Sequence, residues 1–154
     1  MKPLYIFDLD GTLADLSHRK HFIGCSRGEQ KWDSFYAHCH ADEPIWPVID
    51  TLNALKSSGA DVWIFSGRSD WVREETRYWL ELNTALTGRE LETCLMMRRD
   101  GDYTPDDKLK ESWLNNMLEV DRQRLVAVFD DRDRVVAMWR ANGVRCFQVA
   151  PGSF

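Results

Sequence analysis

Two aspartates, Asp8 and Asp10, follow an apolar segment near the start of the chain. Residues 8–12 read Asp-Leu-Asp-Gly-Thr and come directly after Leu4–Phe7. Carboxylates this close raise each other's pKa unless a cation neutralises them, and a hard cation such as Mg²⁺ removes that cost. A carboxylate beside such an ion can attack phosphorus and form an acyl phosphate. The alternative is a capped turn, for which Asp-Gly-Thr is also suited, but the apolar segment in front favours a chemical site.

A second pair of carboxylates, Asp130 and Asp131, follows another apolar segment, Leu125–Phe129. Adjacent carboxylates after a buried strand carry the same electrostatic cost, and the same kind of ion would relieve it. Capping of the following helix explains one of the two at most. We therefore expect this pair to complete a metal site.

The segment Asp61–Phe65 is followed by residues that could bind a phosphate. Ser66 offers a hydroxyl, Gly67 lets the backbone come close, and Arg68 presents a fork of donors. Free backbone N–H groups before a helix also bind phosphate oxygens. A simple helix-entry turn is the alternative.

Basic residues after the segment Cys94–Met97 could neutralise a phosphoryl group during its transfer. Arg98 follows the segment directly, and Lys108 and Lys110 lie further along the chain. A solvated helix face is the alternative explanation for at least one lysine. From residue types alone, both lysines stay candidates.

The elements that must position these residues follow from the pattern of the chain. Short apolar or β-branched runs alternate with longer helical patterns, which is typical of an α/β fold with a mostly parallel sheet of about five strands flanked by helices. In such sheets ligands bind beyond the carboxyl ends of the strands, where the residues above should converge. The strands are predicted at Leu4–Phe7, Asp61–Phe65, Cys94–Met97, Leu125–Phe129 and Arg145–Val149.

Four helices are predicted between the strands. They cover about Trp46–Ser57, Trp71–Leu82 with Asp70 as its cap, Asp106–Leu118 and Asp133–Asn142. Residues 14–43 fit neither a strand nor a crossover helix, and we expect a small insert over the sheet edge that leaves the site fairly open. Its basic residues include Arg19, Lys20, Arg27 and Lys31. Most of the seven tryptophans are expected to be core residues, and Trp32, which lies in the insert, is the one to consider for stacking on a base.

Bulk properties narrow the class of protein. A chain of 154 residues predicts one domain, 1–154, with a single core. No apolar run is long enough to cross a bilayer, and the early Asp8 argues against a signal peptide, so a cytoplasmic protein is expected. The net charge of −5 argues against a surface that binds nucleic acid as a whole, although a local basic channel remains compatible with it.

The motifs together resemble the haloacid dehalogenase superfamily of phosphohydrolases. They are Asp8-x-Asp10-Gly11-Thr12, Ser66-Gly67-Arg68, Lys110 and Asp130-Asp131, in this order at strand ends. The resemblance spans nearly the whole chain. It implies a Rossmann-like fold whose five strands lie in the order 3-2-1-4-5.

Residues 97–102, 106–111, 129–140 and 148–154 further resemble the phosphatase domain of phage polynucleotide kinase 3′-phosphatases. This resemblance implies that Arg98 and Lys110 contact the phosphate, which favours Lys110 over Lys108. The sequence contains no GxxxxGK[ST] phosphate loop. A kinase is therefore expected only as a separate partner.

The resemblance implies a magnesium-dependent reaction. Asp8 attacks a phosphomonoester, while Asp10 protonates the leaving oxygen and then activates water; the charge of its neighbour is expected to keep Asp10 protonated. The substrate phosphate is expected to contact Thr12, Ser66, Gly67, Arg68, Arg98 and Lys110. The metal is expected to bind Asp8, Asp130, Asp131 and, through its backbone carbonyl, Asp10.

Three functions compete. A polynucleotide 3′-phosphatase of nucleic-acid end repair is favoured by the family resemblance, the small insert and its basic residues. The residues expected to contact backbone phosphates of such a substrate are Arg19, Lys20, Arg27 and Lys31, with Arg99 nearby. A phosphatase of free nucleotides or other small phosphomonoesters is favoured by the acidic net charge. A non-catalytic nucleic-acid-binding module is disfavoured, because every expected catalytic side chain is present.

Overall fold

The structure, a computed structural model, describes residues 1–25 and 29–154, without the side chains of residues 24–31. This part of the chain contains short strands and helices in alternation. The strands are β1 (Leu4–Phe7), β2 (Ala14–Asp15), β3 (Glu43–Pro44), β4 (Asp61–Ser69), β5 (Leu95–Arg98), β6 (Leu125–Asp130) and β7 (Cys146–Gln148). The helices are α1 (His21–Cys25), α2 (Glu29–Ala37), α3 (Trp46–Ser57), α4 (Arg73–Asn83), α5 (Gly88–Cys94), α6 (Asp106–Asn116), α7 (Glu119–Arg124) and α8 (Asp133–Ala141).

Five of these strands form one parallel sheet in the order β5-β4-β1-β6-β7. Numbered within this sheet alone, the order is the predicted 3-2-1-4-5, and the fold class is confirmed. The central strand β1 pairs with β4 on one side and with β6 on the other. This arrangement places Asp8 next to the strand that carries Asp130, because the carboxyl ends of parallel strands lie at the same edge.

Helices cover both faces of the sheet. On one face, α3, α4 and α5 contribute side chains such as Ile49, Trp79 and Leu91 to the larger apolar cluster. On the other face, α6 and α8 contribute Leu114 and Trp139. Such burial on both faces explains the nearly continuous apolar character of the strands.

The four predicted helices are present, and α3 has the predicted bounds. The predicted cap of the second helix is wrong: the Ser69 hydroxyl accepts the backbone N–H of Trp71 at the start of the 3₁₀ turn Asp70–Val72. Asp70 instead accepts the backbone N–H of Asp100. Four of the seven tryptophans, Trp63, Trp79, Trp113 and Trp139, belong to the apolar clusters or pack against them, whereas Trp46 and Trp71 are more than half exposed.

The segment 14–43 begins and ends with two short strands that pair with each other. Ala14 lies opposite Pro44, and Asp15 lies opposite Glu43, in an antiparallel ladder. Between these strands the chain forms α1 and α2, which the sequence pattern did not predict. In the described part of the chain, none of the helices has the length and apolar character needed to span a membrane.

Candidate active site

Asp8 lies at the carboxyl end of β1 and is held from both sides. Its backbone N–H donates to the carbonyl of Phe129 at 2.9 Å, which continues the pairing of β1 with β6. Its Oδ1 accepts from Lys110 Nζ at 2.6 Å, and its Oδ2 accepts from Thr12 Oγ1 at 3.0 Å. The side chain is buried. Thr12 therefore contacts the carboxylate expected to act as nucleophile, and its predicted contact with phosphate stays a prediction.

Asp8, Asp130 and Asp131 form a group of carboxylates whose oxygens lie within 4.8 Å of one another. Burial, and then repulsion by Asp130 and Asp131, raise the pKa of Asp8 well above its ordinary value against the opposing effect of Lys110. Burial and Asp130 raise the pKa of Asp131 to about 6. When ionised, three carboxylates and one ammonium leave a charge of −2. This oxygen-only cluster could hold a divalent metal ion.

The carboxylate of Asp131 packs against Gly11, whose φ of +83° is unfavourable for other residues. A Cβ at this position would collide with Oδ2 of Asp131. Gly11 thus makes room for the carboxylate cluster as well as the turn. Asp131 is also fixed from the other side, since its carbonyl accepts from Gln148 Nε2 at 2.9 Å.

Lys110, on α6, is the lysine that reaches the site. Its Nζ donates to Asp130 Oδ2 at 2.8 Å in addition to Asp8. Burial opposes its charge, but Asp130 and Asp8 hold the pKa of Lys110 above its ordinary value. Lys108 instead contacts Glu111 on the surface at 3.2 Å. The geometry thus agrees with the choice of Lys110.

Asp10 is clamped by two buried arginines. Arg68 donates from Nε and Nη2 to Asp10 Oδ1, at 2.9 and 2.7 Å, and Arg19 Nη2 donates to the same oxygen at 2.8 Å. Burial favours the neutral acid, but the two guanidinium groups outweigh it and lower the pKa of Asp10. The expectation that a neighbouring charge keeps Asp10 protonated is therefore wrong for the free protein, because cations surround this side chain.

Asp42 completes the arrangement around Asp10. Its carboxylate accepts from Arg19 Nε and Nη2, both at 2.7 Å, and from Arg68 Nη2 at 2.5 Å. Its backbone carbonyl accepts from Trp79 Nε1 at 2.8 Å. The side chains of Arg19, Arg68 and Asp42 have no exposed surface. Two arginines and two aspartates thus form a buried, charge-balanced network that joins the insert to the site.

This network revises the expectation for the insert. Arg19 was expected to face a polynucleotide, but it is buried with its guanidinium 4.1 Å from the centre of the Phe35 ring. Lys20 is exposed and lies at the pocket. Arg27 lies outside the described residues, as does the side chain of Lys31.

The predicted strand Asp61–Phe65 continues to Ser69 as β4, so Ser66, Gly67 and Arg68 lie at its carboxyl end. Ser66 and Arg68 are buried, and Ser66 Oγ accepts the backbone N–H of Arg68 at 3.2 Å. Gly67 lines the pocket, and a Cβ there would come within 2.7 Å of Asp106 Oδ1. The predicted phosphate contacts of these three residues stay predictions.

Arg98 lines the pocket, but its donors bind protein acceptors. Nε donates to the carbonyl of Gly67 at 2.8 Å, and Nη1 donates to the carbonyls of Asp102 and Thr104 at 3.0 and 2.6 Å. Nη2 donates to Asp106 Oδ1. Arg98 thus ties the loop after β5 to the carboxyl end of β4. Its predicted phosphate contact stays a prediction.

A pocket of about 560 Å³ opens above the carboxylates. Asp8, Asp10, Lys110, Asp130 and Asp131 form part of its lining. The rest comes from the insert, from the loop after β5 and from the C-terminal segment of the described chain. Of the residues predicted for the site, the structure thus brings Asp8, Asp10, Gly67, Arg98, Lys110, Asp130 and Asp131 to one pocket.

Three polar residues of the site were not predicted in the positions they take. Arg19 and Asp42 hold Asp10, and Asp106 accepts from Arg98 and from Arg132 Nη1, the latter at 2.7 Å. The sequence carried no signal for these pairs, because the partners lie on different elements of the fold and their spacing matches no helix or strand repeat. A buried charge requires a partner, but the sequence does not say which.

The chain is similar to a known protein family and to a viral protein. Residues 2–154 match the family described as "Polynucleotide kinase PNKP phosphatase domain". A protein of Autographa californica nuclear polyhedrosis virus is 31% identical over 134 residues, which are 86% of this chain and 17% of that protein. Its name describes a candidate bifunctional polynucleotide kinase/RNA ligase.

Two solved structures of similar sequence share the fold. The structure of a Pnkp1/Rnl/Hen1 complex contains a chain that is 29% identical, with a TM-score of 0.76 over 99% of this chain and 48% of that one. The structure of the Pnkp1/Rnl/Hen1 RNA repair complex gives 30% identity and a TM-score of 0.72, over 99% of this chain and 44% of that one. The present chain thus spans less than half the length of these relatives.

Proposed function

Because this chain belongs to the family of polynucleotide kinase PNKP phosphatase domains, and is a phosphoric monoester hydrolase of the haloacid dehalogenase superfamily, we propose that it removes phosphate from the 3′ ends of polynucleotides through an aspartyl-phosphate on Asp8. The contacts of the Asp8 side chain support this mechanism. Asp8 is the carboxylate held by Thr12 and Lys110 at the floor of the pocket.

In the first step, a carboxylate oxygen of Asp8 attacks phosphorus and the ester bond to the 3′ oxygen breaks. Asp10 gives a proton to that oxygen. Arg19 and Arg68 both donate to Oδ1 of Asp10, so we assign the proton transfer to Oδ2. A bound phosphoryl anion raises the pKa of a nearby carboxyl group, and the substrate thereby favours the protonated form that this step needs.

In the second step, water attacks the phosphorus of the aspartyl-phosphate and frees Asp8. Asp10, now a carboxylate, takes the proton from this water. The two arginines suit this role, since they stabilise the carboxylate form. Lys110 lies 2.6 Å from Asp8 and can balance the charge on the transferred phosphoryl group in both steps.

We propose Mg²⁺ as the metal, held by Asp8, Asp130 and Asp131. The fit rests on the oxygen-only cluster and its charge of −2, which a divalent ion neutralises. A bound ion would polarise the phosphoryl oxygens as a Lewis acid. The expected ligation by the backbone carbonyl of Asp10 is part of this proposal.

The polynucleotide substrate is supported by the family and by the pocket rim. Lys20 and Arg99 are exposed and line the pocket, where they can meet backbone phosphates next to the 3′ end. The names of the relatives include a polynucleotide kinase, an RNA ligase and an RNA repair complex. We therefore also propose that this domain works with kinase and ligase activities that lie outside residues 1–154.

A comparison of substrates tests this proposal. A 3′-phosphorylated oligonucleotide should be hydrolysed with a higher kcat/KM than 3′- and 5′-mononucleotides, because only the oligonucleotide reaches the basic rim. Faster hydrolysis of the mononucleotides would instead identify a phosphatase of small phosphomonoesters, the second candidate. If Asp8→Asn still hydrolysed any of these substrates, the aspartyl-phosphate mechanism would be rejected.

A further inference from the structure

The pocket is larger and more aromatic than a phosphoryl group requires. Its volume of about 560 Å³ lies within the range of pockets that hold whole small molecules, roughly 300–1,000 Å³. The catalytic carboxylates occupy only part of the lining. The remaining walls carry aromatic side chains on separate elements, among them Trp32 of α2 and Tyr103 of the loop after β5.

Trp32 is attached firmly to the catalytic region. Its ring stacks on Tyr36, one helical turn along α2, with ring centres 6.1 Å apart and an interplanar angle of 25°. Tyr36 in turn donates its hydroxyl to the carbonyl of Gly67 at 3.3 Å. Phe35 anchors the same helix, since its carbonyl accepts from the buried Arg19 at 3.2 Å. Trp32 thus lies on a helix that is hydrogen-bonded to the carboxyl end of β4 and to the buried Arg19.

Tyr103 is held in a different way. Tyr103 is 60% exposed, although hydrogen bonds hold the residues on either side of it. Arg98 Nη1 donates to the carbonyls of Asp102 and Thr104, the residues on either side. Asp102 Oδ1 also accepts the backbone N–H and the hydroxyl of Thr104. A buried arginine thus holds a large exposed ring at the pocket edge, where burial in a core cannot explain it.

We propose that Trp32 and Tyr103 form the subsite for the nucleobase of the nucleotide that carries the scissile 3′ phosphate. This inference rests on the proposed function and extends it from the phosphate to the base. Stacking on aromatic rings accepts any base, because every base has a π face. Rings on fixed elements lose little conformational freedom on binding, which favours this use. The phosphate would lie at Asp8 and the base between the insert and the loop after β5.

The test compares two oligonucleotides with the same 3′ phosphate. One carries a normal terminal nucleotide, and the other carries an abasic tetrahydrofuran unit at that position. With the unaltered chain, the base-bearing oligonucleotide should have the higher kcat/KM, by roughly 5- to 150-fold, the range that one stacked base supplies. In Tyr103→Ala this ratio should fall towards one, mainly through KM. Trp32→Ala should have the same effect.

Tyr78→Ala is the matched control, because Tyr78 is also an exposed tyrosine, on α4 and away from the pocket lining. It should leave the ratio unchanged. Should Trp32→Ala fail to fold, Tyr103→Ala still decides, since its exposed side chain can be removed without opening the core.

Two results overturn the inference. An unaltered chain that hydrolyses both oligonucleotides equally would show that no base is bound. A ratio that stays at its original value in Tyr103→Ala would assign the base elsewhere. No hydrolysis of either oligonucleotide, with turnover of a small phosphomonoester retained, would reject the proposed polynucleotide function and this subsite with it.

Discussion

The carboxylates of Asp10 and Asp42 share the guanidinium groups of Arg19 and Arg68. Arg68 Nη2 donates to Asp10 Oδ1 at 2.7 Å and to Asp42 Oδ2 at 2.5 Å, and Arg19 Nη2 donates to the same two oxygens at 2.8 and 2.7 Å. Asp10 follows β1, whereas Asp42 lies at the end of the insert. The insert therefore helps to build the site beneath it as well as to cover it. Asp42 therefore positions Asp10, although Asp42 does not itself line the pocket.

Replacing Asp42 should impair the chemical step. In Asp42→Asn, Arg19 and Arg68 lose a charged acceptor, so Asp10 loses its fixed orientation. Because a displacement of about 1 Å can cost about a hundredfold in rate, kcat should fall by about ten- to a hundredfold with little change in KM. Steady-state kinetics measure both, and thermal unfolding reports folding.

His18→Ala is the control for this change, because the half-exposed His18 contacts Asp42 at 2.7 Å without touching Asp10. It should lower kcat much less. An Asp42→Asn variant with the original kcat would show that the arginines hold Asp10 unaided.

Replacing Asp8, the proposed nucleophile, should abolish turnover and preserve the fold. An amide at position 8 cannot form the aspartyl-phosphate, so Asp8→Asn should retain less than about a hundredth of the original activity. Its melting temperature should not fall, since the change removes one of three mutually repelling buried carboxylates. Asp50→Asn, an exposed position on α3, serves as the control. Activity above that level would refute the assignment of Asp8.

Metal removal should stop the reaction and weaken the fold. Excess EDTA should abolish hydrolysis, and added Mg²⁺ should restore it. A bound ion should raise the free energy of unfolding by about 2.7 kcal/mol when its concentration is a hundred times Kd. Thermal unfolding with and without Mg²⁺ measures this gain independently of activity.

The matched variant is Asp131→Asn, in which the Mg²⁺ concentration needed for half of the stability gain should rise. Full activity in EDTA would contradict the proposed metal site.

Salt should affect an oligonucleotide more than a mononucleotide. Each contact to a backbone phosphate steepens the dependence of log affinity on log salt by about 0.7 for single strands. KM for a 3′-phosphorylated oligonucleotide should therefore rise clearly between low and moderate salt, and KM for a 3′-mononucleotide should rise much less.

Charge reversal at Lys20 and Arg99, both exposed at the pocket, should remove most of this difference. Reversal at Lys2, which is exposed on the N-terminal side of β1, is the control. Equal salt slopes for the two substrates would favour a phosphatase of small molecules.

Acid should weaken a surface ion pair that joins α3 to α5. Lys56 Nζ contacts Glu90 at 2.5 Å, and this bond with the Thr87 capping contacts lowers the pKa of Glu90 from 4.5 to about 2. A lowered folded-state pKa stabilises the protein above pH 4.5, and the gain disappears as the pH falls towards 2. Because the Glu90 side chain is 42% exposed, the gain should be about 1 kcal/mol or less.

Glu90→Gln should accordingly lower the free energy of unfolding at pH 7 and not at pH 2. Urea unfolding at both values measures the difference. Glu92→Gln, exposed on the same helix, is the control. An equal loss at both pH values would assign the effect to the helix cap.

The sequence by itself determined the fold class, the strand order and the main site carboxylates. Strands buried on both faces must be apolar along their length, so β1, β4 and β6 are visible as runs. The polar residues that interrupt these runs stand at the carboxyl ends, where ligands bind. The sequence alone therefore predicts that Asp8, Asp130 and Asp131 lie close together.

The tertiary structure alone decided how the charges pair. The sequence placed Arg19 on a substrate and expected Asp10 to be protonated, whereas the fold buries Arg19 beside Asp10 and lowers the pKa of that carboxyl group. Arg98, a basic residue next to a strand, turned out to hold the loop of Tyr103. Electrostatic interactions depend on distance and burial in three dimensions. The side-chain partners of Arg19, Arg68 and Arg98 lie outside the elements that carry these arginines, and only folding brings them within hydrogen-bond distance.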